Sequence, residues 1–285
     1  MLALIGGLAT AFFWSGSVLF SARASRLTGA APTVAGAMAV GLAIGLPVAV
    51  VFAPPPDFGG DALLWMTLSG FGNVLGLLLT YAAYRIGTVG VISTIDSTEG
   101  AVAAVISVLA GEVLAPGSGI VLALIAVGVV LAASAGGSEE GVPISRDRAT
   151  RAAAMAVVAA TCFAIGLYGS ARAATVLPIA WAILPPRIVG VLFVAIPLVL
   201  LGRFRVSRVA VPFVVATGVV EVLGYWCFAF AARESIAVAS VLSSMFAPIA
   251  AVAAYVVFRE RLSRRQIVGI AAVVVGVAAL GLIQS

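Results

Sequence analysis

Between Leu2 and Ile283 the chain is a succession of long apolar runs, parted by connectors mostly shorter than ten residues. The runs are Leu2–Ala22, Ala31–Ala53, Ala62–Tyr84, Thr88–Ala110, Gly117–Ala135, Ala152–Ala174, Val176–Leu201, Val211–Ala232, Ile236–Phe258 and Gln266–Ile283. A membrane-crossing helix needs about 20 apolar residues. In lipid its backbone must pair within its own segment. The pattern therefore predicts an all-α integral membrane protein of ten transmembrane helices. Composition points the same way, with 63% hydrophobic and 9% charged residues, against roughly 45–50% and 25% in a globular domain. No soluble core hides that much apolar surface, so a water-soluble enzyme is excluded. The first run lacks a basic leader and reads as a span, not a cleaved signal.

The charges report orientation. All 16 basic residues are arginines, and there is no histidine. Thirteen of the arginines (Arg23, Arg26, Arg85, Arg146, Arg148, Arg151, Arg203, Arg205, Arg208, Arg259, Arg261, Arg264 and Arg265) sit in connectors after odd-numbered runs; only Arg172 and Arg233 lie on the other side. Under the positive-inside rule both termini are expected outside. The basic balance of +5 thus speaks of topology and not of nucleic acid. Cys162 and Cys227 lie in separate apolar runs and offer neither a metal-ligand spacing nor a disulfide framework, so no metal or cofactor is expected.

A repeat divides the chain. The segment Gly70 to Gly76 (GFGNVLG) returns as Gly218 to Gly224 (GVVEVLG), at an offset of 148. The same offset pairs Arg85 with Arg233, Glu112 with Glu260, Leu114 with Leu262 and Gly128 with Gly276. A second match, Ser21 to Ala24 with Ser170 to Ala173, has an offset of 149 and joins the ends of runs 1 and 6. The polar stretch GGSEEGVPISRDRATR lies between the copies, giving a first half over 1–136, a linker over 137–151 and a second half over 152–285. Five spans is an odd number, so the second half must enter the membrane upside down. The predicted fold is two inverted-topology five-helix repeats, the plan of many secondary transporters.

The ends of the two halves read STEGAVAAVISVLAGEVLAPGSGIVLALIAVGVVL and SSMFAPIAAVAAYVVFRERLSRRQIVGIAAVVVGVAAL. Each runs from small residues through about ten apolar ones to Gly-Glu or Arg-Glu and then a Gly-rich helix. With Trp14 in FFWSGS, these segments resemble the EamA type of the drug/metabolite transporter superfamily over nearly the whole chain. Gly100 departs from the pattern, because the first half commonly has proline there, as the second has at Pro248. The resemblance implies ten helices around a central cavity and alternating access for small metabolites.

Asp96, Glu99, Arg187 and Glu221 each fall near the middle of an apolar run. A charge at the bilayer centre costs about 2.5–3.5 kcal/mol, so four would cost roughly 10–14 kcal/mol if additive. Such residues face a bundle interior or a wet cavity. Asp96 and Glu99, three apart, are expected on one helix face, where two carboxylates resist joint ionisation. They read either as a proton or cation site or as partners of Arg187. Asn73 and Glu221 correspond by the repeat and are expected to line one cavity. Arg187 follows Pro185-Pro186 in a run that also holds Pro178 and Pro197, so that helix should be kinked or opened at mid-depth. Its guanidinium is placed to hold a substrate carboxylate or to bridge Glu221 or Glu99. Trp14, Tyr84, Tyr225 and Trp181 are candidates for an aromatic wall, and Trp65 for an interfacial anchor.

The expected function is secondary transport of a small organic metabolite across a bacterial inner membrane. An amino acid or related zwitterion is favoured, exported in exchange for protons. A hydrophobic-cation exporter or facilitative carrier is the alternative; a channel or an integral-membrane enzyme fits less well. There is no histidine, no metal cluster and no Gly-rich phosphate loop for an enzyme to use.

Overall fold

The structure, a computed structural model, describes residues 1–133, 145–249 and 264–283. Their secondary structure is helical, joined by connectors. Helix α1 spans Leu2–Thr28, α2 Ala30–Phe52, α3 Ala62–Ala83, α4 Val89–Asp96, α5 Glu99–Leu109, α6 Ser118–Ala133 and α7 Arg146–Val176. Then come α8 over Ile179–Ala182, α9 over Pro185–Gly190, a π-helical turn at Val191–Ala195, α10 over Ile196–Leu200, α11 over Val211–Ala232, α12 over Ile236–Ser243 and α13 over Arg264–Ile283. Among the described residues, seven helical stretches are long and apolar enough to cross a membrane. Three further apolar helices, within Ser118–Leu131, Ile236–Ile249 and Ile267–Val277, are shorter.

Short connectors set the antiparallel course. The tightest is the single residue Gly29, whose φ of 101° is open to glycine at little cost. Helix α7 begins at Arg146, earlier than the expected Ala152, so the end of the linker is helical. The repeat partners Glu260 and Leu262, with Arg259 and Arg261, lie outside the described residues.

Two departures from continuous spans matter. The expected helix over 88–110 is broken at Ser97–Thr98, between α4 and α5. The expected helix over 236–258 is broken at Ser244–Met245, after α12. The repeat offset of 148 carries one break onto the other within a residue. Short polar residues sit at both. The Ser97 and Thr98 hydroxyls donate to the carbonyls of Thr94 and Ile95, both at 2.7 Å, and those of Ser243 and Ser244 donate to Ser240 and Val241 at 2.9 and 2.7 Å. Such back-bonding to the preceding turn weakens and bends a helix. The run over 176–201 is opened as its prolines predict, interrupted at Ile183–Leu184 and loosened again at the π turn.

Helix packing repeats the internal homology. Helix α1 packs on α11 and α3 on α7; α6 pairs with α13, and α5 with α12. The repeat relates α1 to α7 and α3 to α11, so the first two contacts are one contact with the halves exchanged. Glycines bring these backbones together: a Cβ on Gly72 of α3 would stand 2.7 Å from the Cys162 carbonyl of α7. Beside it, Ser69 and Ser170 share a hydrogen bond at 2.6 Å. The core lies between the halves and includes Ile183, Leu184, Tyr225 and Phe228.

At the N-terminal end of α1, Glu234 accepts from the Ala3 N–H and pairs with the terminal amine at 3.0 Å. Those donors hold its carboxyl below the usual glutamate range.

Candidate functional site

The broken helix and its neighbours enclose a cavity with about 510 Å³ of atom-free space, its open mouth included. Helix α1 contributes Trp14, Ser17, Val18 and Ser21; α3 contributes Asn73, Leu77, Thr80 and Tyr81, with Tyr84 just beyond its end. Asp96 and Glu99 enter from the two sides of the α4–α5 break. Phe163 and Leu167 come from α7, Glu221 and Tyr225 from α11, and Phe246 from the second break.

The α3 residues form a stripe because positions 73, 77, 80, 81 and 84 recur at three- and four-residue steps. Trp14, Ser17, Val18 and Ser21 do the same on α1. Each stripe aligns its side chains with the groove between the halves.

Hydrogen bonds stitch the wall together. Ser17 Oγ donates to Glu221 Oε1 at 2.6 Å, joining α1 to α11. Asn73 Nδ2 donates to the Tyr225 hydroxyl at 2.6 Å, joining α3 to α11. Thr80 Oγ1 donates to Asp96 Oδ2 at 2.9 Å, while Asp96 Oδ1 is buried without a partner. The Tyr84 hydroxyl lies 3.3 Å from Ser93 Oγ. Trp14 packs on Tyr225, with ring centroids 5.2 Å apart, and stacks on Phe228 at 6.1 Å.

The aromatic wall follows the repeat. Trp14 corresponds to Phe163 at the offset of 149, and Gly224 to Gly76 at 148. A Cβ on Gly224 would run into the Trp14 indole, and one on Gly76 into the Phe163 ring. In each half a missing side chain lets an aromatic ring lie flat against the neighbouring helix.

The charged groups do not follow the repeat. The counterparts of Thr80, Tyr81, Asp96 and Glu99 are Phe228, Ala229, Ser244 and Ala247. Apart from Glu221, the acidic lining therefore comes from the first half.

Of the residues singled out from sequence, Asp96, Glu99, Glu221, Asn73, Trp14, Tyr84 and Tyr225 meet at the cavity. Asp96 and Glu99 arrive from opposite sides of a break and not from one helix face, which corrects the expectation of a continuous helix. Arg187 and Trp181 are not in the lining. Arg187 is fully buried behind Tyr225, its guanidinium carbon 4.2 Å from the ring centroid. Its Nη1 donates to the Ile183 carbonyl at 3.2 Å, and Nε and Nη2 have no partner. No ion pair to Glu221 or Glu99 forms among the described residues. The physical reason is the cation–π seat on Tyr225, with Gly41 of α2 leaving room for the arginine stem. Trp181 donates to the Pro54 carbonyl at 3.1 Å and so ties α8 to the connector after α2. Trp65 packs edge-on against Tyr168 and beneath Arg172.

Ser17, Ser21, Thr80, Tyr81, Phe163 and Phe246 also line the site. The first four were within reach of sequence reading, since they continue the faces begun by Trp14 and Asn73. Phe163 is the repeat partner of Trp14.

A family model described as the EamA-like transporter family matches residues 1–134 and 150–282. No curated protein matches. Among solved structures, one described only as "Crystal structure of protein" is similar over 99% of this chain and 96% of that chain. Its TM-score is 0.73 at 17% sequence identity, which shows a shared fold. The two matched segments are the two halves that the repeat and the exchanged packing define, and the chain belongs to the EamA-like transporter family of membrane proteins.

Proposed function

We propose that this protein is a secondary transporter that exports a small organic cation in exchange for protons by alternating access. One observation carries the reading. Three carboxylates, from Asp96, Glu99 and Glu221, line a single cavity with an aromatic wall, and the described lining contains no basic residue. Carboxylates with aromatic faces attract cations, and the same carboxylates serve as proton carriers when no cation is bound. In this reading the shorter apolar helices complete ten spans in two inverted five-helix repeats. The exchanged packing of α1 with α11 and α3 with α7 supports that plan. The arginine bias supports a bacterial inner-membrane protein with both termini outside.

Expulsion of Arg187 from the lining moves the preference away from a zwitterion, whose carboxylate had that arginine as its anchor. The amino-acid reading stays as the second one, because Arg187 keeps two unpartnered N–H-bearing nitrogens directly behind Tyr225.

Reconstituted vesicles test the proposal. Saturable counterflow of an organic amine, driven by an imposed pH gradient, is the expected result, with Glu99→Gln and Glu221→Gln each abolishing the pH dependence. Retention of full pH-driven transport by both variants overturns proton exchange. Single-channel currents overturn the carrier.

A further inference from the structure

We infer that the carboxylate pair at the α4–α5 break makes this cavity a receptor for ammonium or guanidinium groups that carry N–H bonds, and a poor one for quaternary ammonium. The inference rests on the cation reading above and narrows it.

Asp96 is 3% exposed and holds only one of its oxygens in a hydrogen bond, Oδ2 to Thr80. Its Oδ1 is buried with no donor. Glu99, across the two-residue break, is 5% exposed, and its carboxylate receives no hydrogen bond among the described residues. An ionised carboxylate only accepts, so the pair presents acceptors that the protein leaves open.

An N–H-bearing cation supplies charge and donors together. A quaternary ammonium supplies charge alone and leaves Asp96 Oδ1 and Glu99 unpaired, which a site built on hydrogen bonds rejects strongly. The aromatic side chains of the lining contact either kind of cation alike. Discrimination therefore falls to the pair at the break. The second half carries no such pair, since Ser244 and Ala247 occupy the corresponding positions. Those residues supply substitutions already accommodated at the equivalent break.

The test uses the purified full chain in lipid nanodiscs with two probes, 2-phenylethylamine and its N,N,N-trimethyl derivative. They share a ring and a charge and differ in N–H bonds. Binding is read by calorimetric titration. The primary amine should bind at least about tenfold more tightly, and Asp96→Ser should shrink that gap to under about threefold. Glu99→Ala should shrink it likewise, and stands in if Asp96→Ser fails to fold. Equal or tighter binding of the trimethyl probe overturns the inference and leaves the cation reading standing. Binding of neither probe overturns both.

Discussion

Gly100 occupies the crossing of the two broken helices. A Cβ there would collide with the Ser240 carbonyl oxygen and lie 2.8 Å from both Cβ and Oγ of Ser244. Glycine at position 100 is thus a packing requirement between α5 and α12. Gly100→Ala should lower stability by about 1–3 kcal/mol, the usual range for overpacking a close contact, seen as a lower thermal midpoint of the purified protein. An unchanged midpoint would show that the two helices part without cost. At the same scale, Arg187 shows how one ring redirects a charge. Tyr225 seats the guanidinium on one face, while its hydroxyl meets Asn73 at the cavity.

Helix α12 owes its start to a residue from the other half of the chain. Glu112, in the connector after α5, accepts from the Ser235 hydroxyl at 2.7 Å and from the Ala237 N–H at 3.1 Å, with Ser107 donating to it as well. Ser235 in turn accepts from the Val238 N–H at 3.2 Å. The Gly-Glu motif at Gly111-Glu112 therefore caps a helix and lies outside the cavity lining. Glu112→Ala should cost about 0.5–2 kcal/mol, as the loss of a helix cap does. Ser235→Ala should cost a similar amount, and the double variant less than the two together, because one network is removed in each case. Thermal unfolding of the three variants measures this; strict additivity would mean that the two residues act apart.

For the whole molecule, the proposed inverted plan makes a topological prediction. The connector before α3 and the one before α11 should open on opposite sides of the membrane. Asp61 and Ser207 are exposed positions in them. After replacement of Cys162 and Cys227 by alanine, a single cysteine at Ser207 should react with a membrane-impermeant maleimide only in inverted vesicles. One at Asp61 should react only in intact cells. Labelling of both from one side would dismiss the odd number of spans per half. The restriction of Asp96, Glu99, Thr80 and Tyr81 to one half also makes the pseudo-symmetric frame chemically one-sided.

The sequence by itself determined that the chain lives in a membrane, where along it most of the apolar helices lie, and that it has two matching halves. Those follow from apolar run length and from residue-by-residue repetition, both local quantities. It also exposed Asp96, Glu99 and Glu221, because a carboxylate inside an apolar run is conspicuous wherever the chain goes next. Tertiary structure alone decided which polar groups share a space. Hydropathy cannot see the breaks at Ser97–Thr98 and Ser244–Met245, since the residues there are short and uncharged, like many inside the unbroken helices. Nor does the string of residues place Arg187 behind Tyr225, because a buried arginine takes whichever neighbour the packing offers, and here that neighbour is a ring on a helix 38 positions along the chain.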